Sequence, residues 1–225
     1  MVLKMGINIE KTLTKPVGML QENYNFFVPA LLPFAISLIS GIAFGGTVFG
    51  MKNTGIIGMG TLMGLRGLLG LISFITALIA EGAIVDMAYK QLNGGHPGYM
   101  EGINAAVEKL GSLIIATIII GVGAFIGLIL LVIPGLIWLI LVAFTIPIIM
   151  LEGADSISAI EESISLVREN LGDVIVFLIV LVIVVGIVTI ILSWIPYIGS
   201  AIASLITTPY GAIALTLAYL ELRRG

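Results

Sequence analysis

At 225 residues, with 59% apolar and 10% charged side chains and a mean hydropathy of +1.21, the chain lies far from the composition of a soluble domain. The length leaves no room for a separate soluble catalytic domain beside a set of membrane helices, the net charge of −3 offers no attraction for nucleic acid, and the absence of cysteine excludes disulfides, thiolate metal sites and cysteine nucleophiles. One all-α integral membrane domain, 1–225, is the expectation.

In chain order, residues 8–24 read as a first amphipathic helix, with Leu13, Val17, Leu20 and Tyr24 on one side and a kink at Pro16. Residues 26–45 form the first span, containing Pro29 and Pro33, and it should remain as an anchor, because some 25 residues precede it and no small-residue cleavage site follows. The connector 45–66 is apolar, glycine-rich and free of acids, which fits a surface loop; a re-entrant segment is the alternative. Only 14 uncharged residues separate Arg66 from Glu81, about 21 Å of helix against roughly 30 Å of hydrocarbon. The second span, 68–87, must therefore carry Glu81 inside the membrane.

His96, the single histidine, falls in the loop sequence Asn93-Gly94-Gly95-His96-Pro97-Gly98 and is expected to be solvated. A second amphipathic helix, 98–110, uses Ile103, Val107 and Leu110. The 42 residues 110–151 then carry no charge, twice the roughly 20 that one crossing needs. Ile133-Pro134-Gly135 divides them into spans 112–133 and 135–151. The third amphipathic helix, 155–171, is the best defined: Ile157, Ile160, Ile164, Val167 and Leu171 form a stripe, Asp155 or Ser156 caps the start, and Ser158 with Glu161 resembles a capping box. A second uncharged stretch, 174–220, divides at 194–199 into spans 174–192 and 199–220, with Trp194 and Tyr197 as interfacial anchors. Gly60 with Gly64 and Gly123 with Gly127 have the small-xxx-small spacing of close helix contacts.

Six spans place both ends on one side. Lys4, Lys11, Lys15, Lys90, Lys109, Arg168, Arg223 and Arg224 share that side, against Lys52 and Arg66 opposite, so the positive-inside rule puts both termini in the cytoplasm of a cell membrane. The markers Glu22-Asn23-Tyr24-Asn25, Glu108-Lys109-Leu110-Gly111 and Glu169-Asn170-Leu171-Gly172 alternate with Glu81-Gly82-Ala83, Glu152-Gly153-Ala154 and Tyr210-Gly211-Ala212. This order suggests three copies of one unit: amphipathic helix, span, turn, span.

Ile133-Pro134-Gly135, Pro147 and Glu152, followed by Ala159, Ser163, Leu166, Val167, Arg168 and Asn170, also resemble a multi-pass membrane domain found in uncharacterised bacterial and archaeal proteins and attached to some glycerophosphodiester phosphodiesterases. In those fused members a separate soluble barrel carries the hydrolase, and no such barrel occurs in this chain. The resemblance implies a prokaryotic membrane module of unresolved role and gives no reason to transfer phosphodiesterase activity.

No catalytic motif, metal site or cofactor loop can be assembled. The threefold reading makes Glu81, Glu152 and Tyr210 equivalent, so that they could converge on a polar pocket for a proton, a cation or a headgroup amine; otherwise each glutamate sits near the interface and ends its span. The expectation is a non-enzymatic scaffold or lipid-interacting module whose partners are membrane lipids, with a cytoplasmic protein or a second copy as the alternative. A small transporter or channel using the intramembrane carboxylates is the rival reading.

Overall fold

The computed structural model describes residues 6–45, 56–196 and 198–224. Helix α1, Ile9–Glu22, is capped by Asn8, whose side chain accepts from the Lys11 amide, and a 3-10 turn, Tyr24–Phe27, bends the chain into α2, Val28–Gly45. The bend is 100°. It lays α1 across the direction of the span that follows.

Helix α3 runs unbroken over Ile56–Leu92. Of the expected connector 45–66, residue 45 and residues 56–66 are helical and 46–55 lie outside the described residues, and the expected span 68–87 is extended at both ends. Glycine costs about 1 kcal/mol in a helix interior, but in hydrocarbon every backbone group must find an internal partner, and a continuous helix supplies it. Helix α4, Tyr99–Glu108, follows, and Lys109 forms the joint to α5, Leu110–Leu130.

The hairpin at 131 departs from the expected turn at Pro134. Leu131 alone is extended, and α6, Val132–Leu141, takes Pro134 in its first turn, where the missing N–H has no helical partner to lose. The two arms touch: a Cβ on Gly127 would lie 2.7 Å from the Gly135 Cα, and one on Gly123 would strike the Trp138 ring, whose Nε1 donates to the Ile120 carbonyl at 3.0 Å. Gly123 and Gly127 thus serve packing within the chain. Gly60 and Gly64 meet nothing within 4 Å.

The expected span 135–151 is broken at 142–144. Pro147, in the first turn of α7, Thr145–Glu152, has no N–H and its ring would collide with the carbonyl four residues earlier, which favours a break just before it. Helix α8, Ser156–Glu169, leads to α9, Leu171–Ser193, and α10, Gly199–Arg224, completes the chain. Asp155 caps α8 by accepting from the Ile157 and Ser158 amides, so Ser158 lies inside the first turn and the proposed capping box with Glu161 does not start the helix. Tyr197 lies outside the described residues, and Trp194 is 85% exposed.

Among the described residues five segments are long and apolar enough to cross a membrane, Gly60–Leu92, Leu110–Leu130, Val132–Glu152, Leu171–Ser193 and Gly199–Arg224, and the number is six when the bent pair Ile9–Glu22 with Tyr24–Ser40 is counted as one broken span. The protein is an all-α polytopic membrane bundle. Lys11 pairs with Glu221 at 2.9 Å, which ties the two chain ends to one face. The core gathers at that end: Ile84 and Met87 of α3, Leu113 of α5, Ile148 of α7, Val167 of α8, Phe177 of α9 and Ile213 of α10 are fully buried. The far halves are open, with Phe125, Ile129 and Ile133 at the α5–α6 turn and Val182 and Ile190 of α9 exposed.

The three surface helices keep part of each expected stripe, with Leu13 and Leu20, Ile103, and Ile160, Ile164 and Val167 against the core, and turn the rest outward. Helix α8 buries Ser156, Ala159, Ile160, Ser163 and Val167 while Ile157 is 61% exposed; α1 buries Thr12, Pro16, Met19 and Leu20 while Val17 and Tyr24 are exposed; α4 buries Gly102 and Ala106 while Met100 and Val107 are exposed. In α4 and α8 small side chains let the backbone approach the bundle, α1 packs through Met19 and Leu20, and in all three some large apolar residues point away. That arrangement suits an interface where lipid covers what protein does not.

Candidate functional site

The inner end of α10 joins three elements. Glu152 closes α7, and Gly153, at φ +71°, turns the chain away as a left-handed cap. The Tyr219 hydroxyl donates to Glu152, and the Arg223 guanidinium pairs with Glu152 at 2.5 Å and with Glu162 of α8. Arg223 Nε donates to the Tyr219 oxygen at 3.0 Å, its guanidinium lies 5.6 Å from that ring's centroid, and the Phe144 ring stands 6.2 Å from Tyr219. One arginine therefore holds two carboxylates and a phenol. Opposite, Glu221 accepts from the Asn8 amide at 2.8 Å and from Lys11, binding α1 to the same helix.

A buried serine repairs the broken span. Ser163, fully buried on α8, donates to the Leu141 carbonyl at 2.9 Å and accepts from the Phe144 amide at 3.1 Å. Irregular backbone at this depth persists only when something covers its polar groups, and a surface helix reaches in to do so. Lys109 Nζ donates to the Met150 carbonyl at 2.6 Å near the end of α7, and Ser156 Oγ donates to the Ser112 carbonyl at 2.8 Å. At the exposed start of α8, the Ser158 amide and hydroxyl, with the Ile157 amide, hold the Asp155 carboxyl below the usual carboxylate range.

The three residues expected to share a pocket have separate surroundings. Glu152 belongs to the arginine cluster, the Tyr210 hydroxyl donates to the Leu13 carbonyl at 3.0 Å, and Glu81 is half-buried, with no hydrogen bond or ion pair among the described residues. No described hydrogen bond or ion pair joins one of them to another. Tyr219, Arg223, Glu162 and Ser163 were missing from the expected set. The i, i+4 pair Tyr219 and Arg223 is the visible signal for the first two, and Ser163 stands in the sequence only as part of the resemblance pattern, with no sign of the carbonyl and amide it serves. Among the described residues no three His, Asp or Glu side chains group closely enough to hold a metal.

A cleft of about 510 Å³ opens where the α1–α2 bend meets the α3–α4 loop, lined by Glu22, Asn23, Asn25, Gln91 and His96 with the glycine backbone beside it. Asn23 Nδ2 donates to the Gln91 side chain at 3.3 Å and Gln91 donates to Glu22 at 3.4 Å, so the bend and the loop share one polar network.

Residues 12–220 match the model of a domain family of unknown function, DUF7847. The chain belongs to this family. No curated protein and no solved structure matches it. For this DUF7847 member the match runs from α1 almost to the end of α10, so the surface helices and the residues of the arginine cluster other than Arg223 lie within the family's domain.

Proposed function

We propose that the protein is a non-enzymatic integral membrane module that engages lipid from the face bearing its chain ends, with both ends in the cytoplasm of a prokaryotic cell. The way polar groups are spent inside the spans carries this reading. Thr76, Thr117, Thr189, Thr207 and Thr216 each donate to the carbonyl four residues earlier in their own helix, and Ser193 and Ser204 to the carbonyl three residues earlier. Hydroxyls used in this way have spent their donor on their own helix, so among the described residues these seven offer a solute only acceptors. The outward large residues of α1, α4 and α8 add an apolar surface at the interface.

A second reading, a small transporter or channel, rests on Glu81 alone. An ionisable group without a partner at membrane depth suggests function. The test is flux. The protein is reconstituted into sealed phosphatidylcholine vesicles with a pH-sensitive dye inside, and proton and sodium entry is followed after a gradient is imposed. Traces matching empty vesicles support the lipid module; entry that Glu81→Gln abolishes would replace it with the transporter.

A further inference from the structure

The cleft at the α1–α2 bend holds three unspent polar groups. Glu22 uses one carboxylate oxygen on Gln91; the Asn25 carboxamide and the His96 imidazole make no side-chain hydrogen bond among the described residues. Asn23 is fully engaged: its carbonyl oxygen accepts from the Asn25 amide, and its amino group donates to Gln91 and to the Pro97 carbonyl. A rigid frame thus presents one carboxylate, one carboxamide and one imidazole to a cavity of about 510 Å³, within the range of ligand pockets.

The chemistry of the lining selects the ligand. No lysine or arginine lines the cleft, which removes the charged partner that favours a phosphate. Carboxamide and imidazole each offer a donor and an acceptor, the requirement of hydroxyl groups, which do both. Location selects the source: the 100° bend lays α1 along the interface, and Tyr24, 73% exposed between Asn23 and Asn25, is an aromatic of the kind that sits at headgroup level. The one ionised side chain lining the cleft, Glu22, is an acid, which repels an anionic headgroup. We infer that this cleft binds the neutral, hydroxyl-rich headgroup of a glycolipid. The inference rests on the lipid-module reading and names its ligand class.

The test uses the full chain in phosphatidylcholine nanodiscs, with or without a neutral diglucosyl diacylglycerol, and reads lipid retained on release in native mass spectrometry together with hydrogen exchange over residues 91–98. The expected result is at least a tenfold enrichment of glycolipid over its share of the disc, slowed exchange in the loop, and loss of both in Asn25→Ala and His96→Ala. Both changes are at exposed side chains, and an unchanged melting temperature confirms folding. No enrichment, or enrichment that both variants keep, overturns the inference. Slowed exchange with the free disaccharide alone, and none with the lipid, overturns it in favour of a soluble sugar. Absent flux with absent enrichment sinks this site and leaves the lipid module standing, whereas flux through Glu81 sinks that module by a separate route.

Discussion

The two halves of helix α9 are chemically alike and structurally opposite. Near its start Val174 and Phe177 are fully buried, while Val182, Ile187 and Ile190 further along are more than half exposed. In water such a difference would destabilise the fold. In a bilayer the far half meets lipid tails as apolar as itself, so burying it gains nothing, and the protein concentrates its packing where polar backbone must be shielded. The end bearing the termini has breaks, caps and ion pairs to cover; the far end has helices and tight glycine turns.

The sharpest way to break this comparison is to cut equally at both ends. Phe177→Ala should leave a cavity at a fully buried site and cost about 3 kcal/mol, the lower end for that change because lipid takes up part of the transfer term. Ile190→Ala, on the same helix at 63% exposure, should change stability by less than about 0.5 kcal/mol. Equilibrium unfolding in mixed micelles measures both. Equal losses would mean that the far half packs against something as firmly as the near half does.

Ser163→Ala asks whether the packed end exists to cover backbone. The change removes only an oxygen but strands the Leu141 carbonyl and the Phe144 amide, and a loss of about 2 kcal/mol is expected from that desolvation. Ser165→Ala, exposed on the same helix, is the control and should be silent. If Ser163→Ala were equally silent, water or a neighbouring group would be satisfying the break, and α8 would be no clamp.

Hydropathy alone marked the spans, because crossing a bilayer demands length and apolarity averaged over twenty residues, and 110–151 and 174–220 supply both. What it missed is finer than that average. The break at 142–144 depends on Pro147 and on Ser163, 19 and 22 positions beyond the two backbone groups it serves, and α4 and α8 bury small residues while some large apolar ones face outward, where they lose nothing against lipid. Of the candidate site, Glu152 was legible as a charge ending a span. Its partners Tyr219 and Arg223 lie 67 and 71 positions downstream, and only the fold brings them to it.

The arginine cluster sets a smaller scale. Arg223, Glu152 and Glu162 keep 31–39% of their side-chain surface exposed, so screening limits the worth of the pairs, and Arg223→Gln should cost about 1 kcal/mol. The difference from the parent should shrink in 1 M salt, where the Debye length falls to about 3 Å. A penalty independent of salt would assign the effect to Arg223 packing over the Tyr219 ring.

The smallest expected effect lies at Asp155, where the comparison turns on solvent. Its carboxyl is held below its ordinary value by the hydrogen bonds it accepts from Ser158 and Ile157. A group whose folded pKa is depressed stabilises the fold above its unfolded value, near 3.9, and loses that contribution as pH falls through the folded value. Hydrogen exchange at the Ile157 and Ser158 amides should therefore be slow at neutral pH and gain an extra acceleration, relative to buried amides of α8, only below about pH 4. Asp155→Asn keeps an acceptor at the cap and cannot titrate, so it should remove that pH dependence while leaving the neutral rates nearly unchanged. Persistence of the same acid response in the variant would place the titrating group elsewhere on α8 and detach the start of this helix from the cap that the hydrogen bonds define.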